Sequence, residues 1–395
     1  QTTVELNWTV RENVNNFLIE VSADDPSFGT IFKTAEITAD QLPYQIALEG
    51  ETVYSIRVKA ISSRGLDDST YALVTATTLT RGVLTFTTGI DIGTGILVTP
   101  TDDLFQMIAD AAPDAILVLE PGDYTAQIGT ATIDKSITIR GLRSFDKPLL
   151  KISFSIAPGT TNLSLIDLDL TGDVTEQLTD VVEFASAGNY NSLLISGCNI
   201  HDYDKSLIKG QTTDVILQTL TVENSVLTNI LTNSSDFIDF RDSNVLNVNV
   251  TTSTFNNCAP SRDFIRIDNS GTSNGTGLTC NVLIESCTLY KVSNSSSKRI
   301  VYVRFDKNEI EIRNTLITDS PDVDAISDRD DTDEDIIFVN NNYFNAPALT
   351  DPKEKRYDPT ASTFDPGYVD AINGNFTLTN QTLIDNEVGD PRWRQ

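Results

Sequence analysis

Ile195-Ser196-Gly197-Cys198-Asn199-Ile200 decides the fold, because its pattern returns along the chain: an apolar residue, a few polar or small residues, then a closing apolar residue. It recurs at Val222-Glu223-Asn224-Ser225-Val226-Leu227, at Val250-Thr251-Thr252-Ser253-Thr254-Phe255 and at Ile284-Glu285-Ser286-Cys287-Thr288-Leu289. Two more copies are Ile312-Arg313-Asn314-Thr315-Leu316-Ile317 and Val339-Asn340-Asn341-Asn342-Tyr343-Phe344. The closing apolar residues fall at 170, 200, 227, 255, 289, 317 and 344, in steps of 27 to 34 residues. Such steps fit one coil of a parallel β-helix with variable loops, and not a leucine-rich repeat with its fixed Leu spacing. The Asn and Ser of each phrase suit the tight turns between strands.

Each coil carries a second short strand: Val182-Glu183-Phe184, Ile208-Lys209-Gly210, Ile238-Asp239-Phe240-Arg241, Ile265-Arg266-Ile267-Asp268 and Val303-Arg304-Phe305-Asp306. If the apolar residues point inward, alternation turns their neighbours outward. Stacking then gives an outward column of Glu183, Lys209, Asp239, Arg266 and Arg304, with Gln211, Arg241, Asp268 and Asp306 two residues on. Two residues before lies an apolar column of Leu207, Phe237, Phe264 and Tyr302. A slip of one residue in any coil would exchange inside for outside.

Two readings of these columns stand side by side. Opposite charges on coils about 4.8 Å apart make a salt-bridge ladder that needs no ligand. Alternatively, Lys and Arg beside aromatic rings suit an anionic polysaccharide, since guanidinium groups pair carboxylates bidentately.

Residues 1–80 read differently, as short alternating strands such as Val4-Glu5-Leu6-Asn7-Trp8, Asn16-Phe17-Leu18-Ile19-Glu20-Val21 and Thr52 to Ala60. An early Trp and a late Tyr-x-Ile-x-Val-x-Ala strand resemble a fibronectin type III module, whose Trp packs the core centre. Residues 81–95 read as a linker, 96–350 as the β-helix and 351–395 as a tail packing on the last coils. Thr101 to Ala111 is a short amphipathic helix in this reading, with Thr101 as N-cap and Asp102 and Asp103 at its positive end.

Composition narrows the function. The chain of 395 residues carries 56 Asp+Glu against 28 Lys+Arg, a net charge of −28. That balance opposes a general nucleic-acid binder and docking to anionic lipid. A single histidine, His201, excludes sites built from several imidazoles. No apolar run is long enough to cross a membrane. Cys198, Cys258, Cys280 and Cys287 show no metal-ligand spacing and read as small core or turn residues. Asp328 to Asp335 lacks the Gly and Glu of an EF-hand loop. His201-Asp202-Tyr203 reads as a turn. Gln1 opens directly into structured-looking sequence, either because a targeting segment precedes it or because none exists.

A helix, then Leu119-Glu120-Pro121-Gly122-Asp123-Tyr124, then Lys135-Ser136-Ile137-Thr138-Ile139-Arg140-Gly141, resembles the entry to right-handed parallel β-helices of the pectate-lyase superfamily, in which the helix plugs the open end of the coil. The fold class expected is therefore all-β: a fibronectin III-like sandwich, then a right-handed parallel β-helix with a short capping helix. Superfamily lyases of the Lys/Arg type imply β-elimination on a uronate polysaccharide, with Lys209 as base and Arg241 as acid. Arg266, Arg304, Phe237, Phe264, Tyr302, Asp268 and Asp306 would then bind substrate, and Glu183 with Asp239 would hold Ca²⁺. The alternative is a non-catalytic surface protein binding glycan in the same groove. A hydrolase using Asp239, Asp268 and Asp306 is a third reading. The tail, Gly389-Asp390-Pro391-Arg392-Trp393 included, is similar to that of uncharacterised Bacteroidetes proteins. That likeness implies an exported surface or periplasmic location, a lipid anchor ahead of Gln1 and partners in glycan uptake.

Overall fold

The computed structural model describes residues 3–8, 10, 15–23, 25, 27–49, 53–61, 84–87, 92–210, 214–267, 278–303, 308–327, 336–354 and 356–394. The chain divides into two compact units, Gln1–Gly93 and Thr94–Gln395. The first holds two antiparallel sheets, Thr3–Leu6 with Tyr44–Ala47 and, in spatial order, Lys33–Thr38, Asn16–Ala23, Val53–Ile61 and Leu84–Thr87. Leu6 and Ile46 from the small sheet meet Phe17, Ile19, Val21, Ile37, Tyr54 and Ile56 from the larger one in a single core. Trp8 lies at the margin of that core, its ring edge-on to Phe17 at 5.1 Å, and the fully buried Tyr54 takes the centre. Leu84–Thr87 pairs with Val53–Ile61, so it belongs to this unit although it falls within the stretch read as a linker.

The second unit is a parallel β-helix. Its described strands form three parallel sheets of ten, eight and seven strands, here sheets A, B and C. The chain visits them in turn. In one coil it runs through Gly188–Ser196 on A, Asn199–His201 on B and Ile208–Gly210 on C before returning to A at Val215–Glu223. Leu170, Ile200, Leu227, Phe255, Leu289 and Ile317 pair in register along sheet B. The next partner is Tyr343 and not Phe344. The last copy of the phrase therefore runs over 338–343, with Phe338 inward of the half-exposed Ile337 and Val339. Val339 passed for an inner residue because Phe338 beside it is equally apolar.

Corners make the coils. Between A and B the backbone enters the left-handed region at Asp167, Gly197, Asn224, Thr252, Ser286, Asn314 and Asn340, one residue per coil. Asn, Asp and Gly tolerate that conformation best, which explains their recurrence. The residue that follows, including Cys198, Ser225, Ser253 and Cys287, is buried beneath the corner. All four cysteines are free and buried. Burial pushes the thiols of Cys198 and Cys258 up to about 12 and those of Cys280 and Cys287 higher, so they stay protonated.

The helix α1 (Leu104–Asp110) buries Leu104 and Ile108 in the core of the first coils. Its N-cap is Asp103, whose side chain accepts from Gln106 N. Thr101 lies outside the helix, because Asp102 turns back to accept from Thr99 N at 2.7 Å and closes the preceding turn. At the other end the tail lies along sheet B. Leu378, Leu383 and Val388 cluster on Leu316. Asp390 N donates to Thr288 Oγ1, Thr254 Oγ1 donates to Asp390 Oδ2, and Trp393 Nε1 donates to Thr254 Oγ1. No helix among the described residues is long and apolar enough to cross a membrane.

Candidate functional site

On sheet C the outward residues pair as Glu183, Lys209, Asp239, Arg266 and Tyr302 on successive coils. Four of these are the charges the alternation placed there. The fifth slot belongs to Tyr302, because the last strand is Val301–Val303, two residues earlier than the sequence reading. Val301-Tyr302-Val303 and Val303-Arg304-Phe305 alternate alike, and a slip of two keeps inside and outside unchanged, so periodicity alone does not choose between them. Arg304, Asp306 and Asp268 lie outside the described residues.

Phe237 and Phe264 are not on this surface. Both are fully buried, and their rings stack inside the coil at 4.9 Å with an 11° interplanar angle. The physical reason is the corner before each sheet C strand. Phe237 and Phe264 occupy bends, where strict alternation does not hold, and each turns inward together with the Ile that follows. Leu207 sits likewise at a bend and is fully buried. No aromatic platform is formed by these two rings.

Immediately before those bends runs a buried polar column that the sequence reading missed: Asp180, Ser206, Asp236, Asp263 and Arg299. Its carboxylates clasp consecutive coils. Ser206 N donates to Asp180, Asp263 N to Asp236 and Arg299 N to Asp263. A signal existed in the repeated Asp-Phe-Ile of residues 236–238 and 263–265.

Asp236 is the hub. Its fully buried carboxylate meets Arg241 at 2.8 Å, Arg262 at 3.1 Å and Arg266 at 3.4 Å. Arg241 also grips Asp239 through Nε and a terminal nitrogen, at 2.9 and 2.6 Å. Asp239 itself is 2% exposed and accepts the backbone N–H of Asp236 as well. Arg299 pairs with Asp263, whose carboxyl burial holds above its ordinary value against the pull of that guanidinium. Arg266 and Arg299 both lie over the Tyr302 ring, at 5.0 and 4.0 Å. Three buried carboxylates thus hold four guanidinium groups, of which those of Arg241, Arg262 and Arg266 keep 23 to 30% of their side chains open.

This arrangement bears on each expected role. Arg241 is fixed between two carboxylates, with its Nε and a terminal nitrogen committed to Asp239 and Asp236. Asp239 does not fit a Ca²⁺ ligand, since Arg241 and Asp236 N already occupy its oxygens, and among the described residues no cluster of three metal-ligating side chains occurs. Glu183 and Lys209 face each other in register, and among the described residues neither forms an ion pair.

His201 sits apart, on sheet B. Its Nδ1 is 2.7 Å from Asp202 Oδ2 and its Nε2 3.3 Å from Asp169 Oδ1. Asp169 first, and Asp202 with it, raise the imidazole to about 9 against the opposing effect of burial. Tyr203 turns the other way and is buried, donating to Ile152 O. The acidic run 328–335 lies outside the described residues.

Two stretches of the β-helix match known domain families. Residues 122–258 match Domain of unknown function (DUF4957), and residues 282–393 match Domain of unknown function (DUF5123). Each covers less than half of the chain. No curated protein matches it.

Proposed function

We propose that the outer face of sheet C binds an acidic, uronate-bearing glycan at a cell surface and does so without cleaving it. The observation that carries this reading is the hub at Asp236. One carboxylate without access to water orients three partly open guanidinium groups on a chain whose net charge otherwise repels polyanions. Planar donors already fixed in place lose little freedom when a carboxylate arrives, which favours binding. Commitment of Arg241 to Asp236 and Asp239 argues for recognition over proton transfer. The first unit, read as fibronectin-like, would act as a spacer, and export with a lipid anchor and glycan-uptake partners is the setting that suits such a protein.

Lys209 keeps β-elimination as a second reading. It has no ion pair among the described residues, as a base poised for a proton beside a uronate carboxylate requires. One experiment separates the two. The protein is run in affinity gels containing polygalacturonate, alginate, chondroitin sulfate or heparin, with and without Ca²⁺, while absorbance of unsaturated uronate ends is followed in solution. Binding predicts retardation by at least one polymer that weakens as salt rises, a tenfold loss in the doubly substituted Arg262→Ala, Arg266→Ala protein, and flat absorbance. Rising absorbance abolished by Lys209→Ala would establish elimination instead. A folded protein retarded by no acidic polymer would end both.

A further inference from the structure

The corner after each of the last six sheet B strands holds a second left-handed series: Asp202, Asn229, Asn257, Lys291, Asp319 and Asn345. Its side chains form a ladder from coil to coil. Asn229 Nδ2 donates to Asp202 Oδ1 at 3.1 Å and Asn257 Nδ2 to Asn229 Oδ1 at 2.9 Å. Farther along, Asn345 Nδ2 donates to Asp319 Oδ1 at 2.9 Å. Lys291 breaks the series. It adopts a φ of 56° without the side-chain amide or carboxylate that accompanies this conformation elsewhere in the column. Its Nζ lies 4.8 Å from the Tyr290 ring centre, with no carboxylate partner among the described residues. Asn257 Oδ1 is thereby left where the next rung would have donated.

The gap is walled. The tail turn Ala371–Asn373 stands across from the corner and encloses a cleft of about 520 Å³, lined by Asn256, Asn257, Tyr290, Lys291 and Ile372 among others. That volume falls within the range of small-molecule sites, about 300–1,000 Å³. Ile372 is 87% exposed, an apolar side chain held at the rim. None of the lining residues is acidic, although acidic residues outnumber basic ones two to one in the chain.

We propose that this cleft is a second binding site, separate from the sheet C face, and that it takes one acidic sugar unit. The sugar carboxylate pairs with Lys291 Nζ. The Asn256 amide and what the ladder leaves of Asn257, one Nδ2 hydrogen and the open Oδ1, take ring hydroxyls. Ile372 covers the apolar face of the ring. The cation, the open acceptor and the rim lie within one cleft, whereas sheet C offers guanidinium groups along a flat face.

Titration calorimetry with trigalacturonate, an oligoglucuronate trimer and their carboxyl-reduced counterparts tests this. The uronate trimers should bind and the reduced ones should bind at least tenfold more weakly. Lys291→Asn restores the residue found one rung earlier, so it should fold with an unchanged or higher Tm while losing at least tenfold in affinity. Ile372→Ser, on an exposed turn, should weaken binding several-fold. Lys353→Ala, which removes an exposed cation belonging to neither site, should leave trimer binding intact. The proposal is overturned if no uronate trimer gives heat, if reduced trimers bind equally, if Lys291→Asn binds as the parent does, or if Arg266→Ala rather than Lys291→Asn abolishes binding.

Discussion

Asp236 shows how one buried residue sets the character of a whole face. Its two oxygens receive Arg241, Arg262, Arg266 and the N–H of Asp263, a set of donors that satisfies the carboxylate completely. Replacing a buried ion pair by apolar groups is often harmless, whereas removing one partner strands the other. Asp236→Ala strands the partly buried guanidinium of Arg262, takes one carboxylate from Arg241 and Arg266, and should cost about 3–5 kcal/mol in urea unfolding. Asp236→Asn, which still accepts from Asp263 N, should cost less. An unchanged urea midpoint for Asp236→Ala would show that the hub adds nothing to stability. His201 supplies a second residue-scale test. Its folded pKa, about 9, stands above its ordinary 6.5, so the stabilisation it gives is fully present below about pH 6.5 and fades as pH rises through 9. The Tm difference between the parent and His201→Gln should shrink over that window. A constant difference from about pH 6 to about pH 10 would remove protonated His201 from the account.

At the scale of elements, the coils were legible because their strands are short and their corners chemically marked. A three-residue strand turns one side chain outward, so Ile208-Lys209-Gly210 and Ile265-Arg266-Ile267 reveal their outward residue without ambiguity. Asn224, Asn314 and Asn340 announce corners because few other side chains accept a left-handed backbone. What stayed hidden follows from the same physics. Phe237 and Phe264 sit in bends, where the period of two that places Asp239 and Arg266 ceases to apply. Tyr302 was misassigned because a shift of two preserves the pattern. Asp236 and Asp263 carry their information in contacts between coils, which no local pattern expresses. Thr101 lost the cap to Asp103 for a local reason, since Asp102 is spent on Thr99. The cleft at Lys291 was illegible for another: four of its ten lining residues come from the tail, some eighty residues away in sequence.

For the molecule as a whole, the two matched families divide a structure that physics does not divide. One apolar core runs from Val98 to Leu349 without interruption, and all three sheets cross the interval between residues 258 and 282. The tail reinforces that continuity, because Asp390 bonds both Thr254 in the first matched stretch and Thr288 in the second. Each coil buries its faces only against its neighbours, so solenoids lose cooperativity where a neighbour interface is weak. Here the interface at the boundary holds Phe237, Phe255 and Phe264 in mutual ring contact, which is strong. The β-helix should therefore unfold as one body. Two probes already in the sequence read this out. Trp393, isolated by Trp8→Phe, reports the tail, while the buried Cys198 and Cys287 lie in the first and second matched stretches. In graded urea, pulse labelling of both thiols and the shift of Trp393 emission should share one midpoint. Labelling of Cys198 at a lower urea concentration than Cys287, or the reverse, would show two folding units behind the two families and place a weak interface between residues 258 and 282.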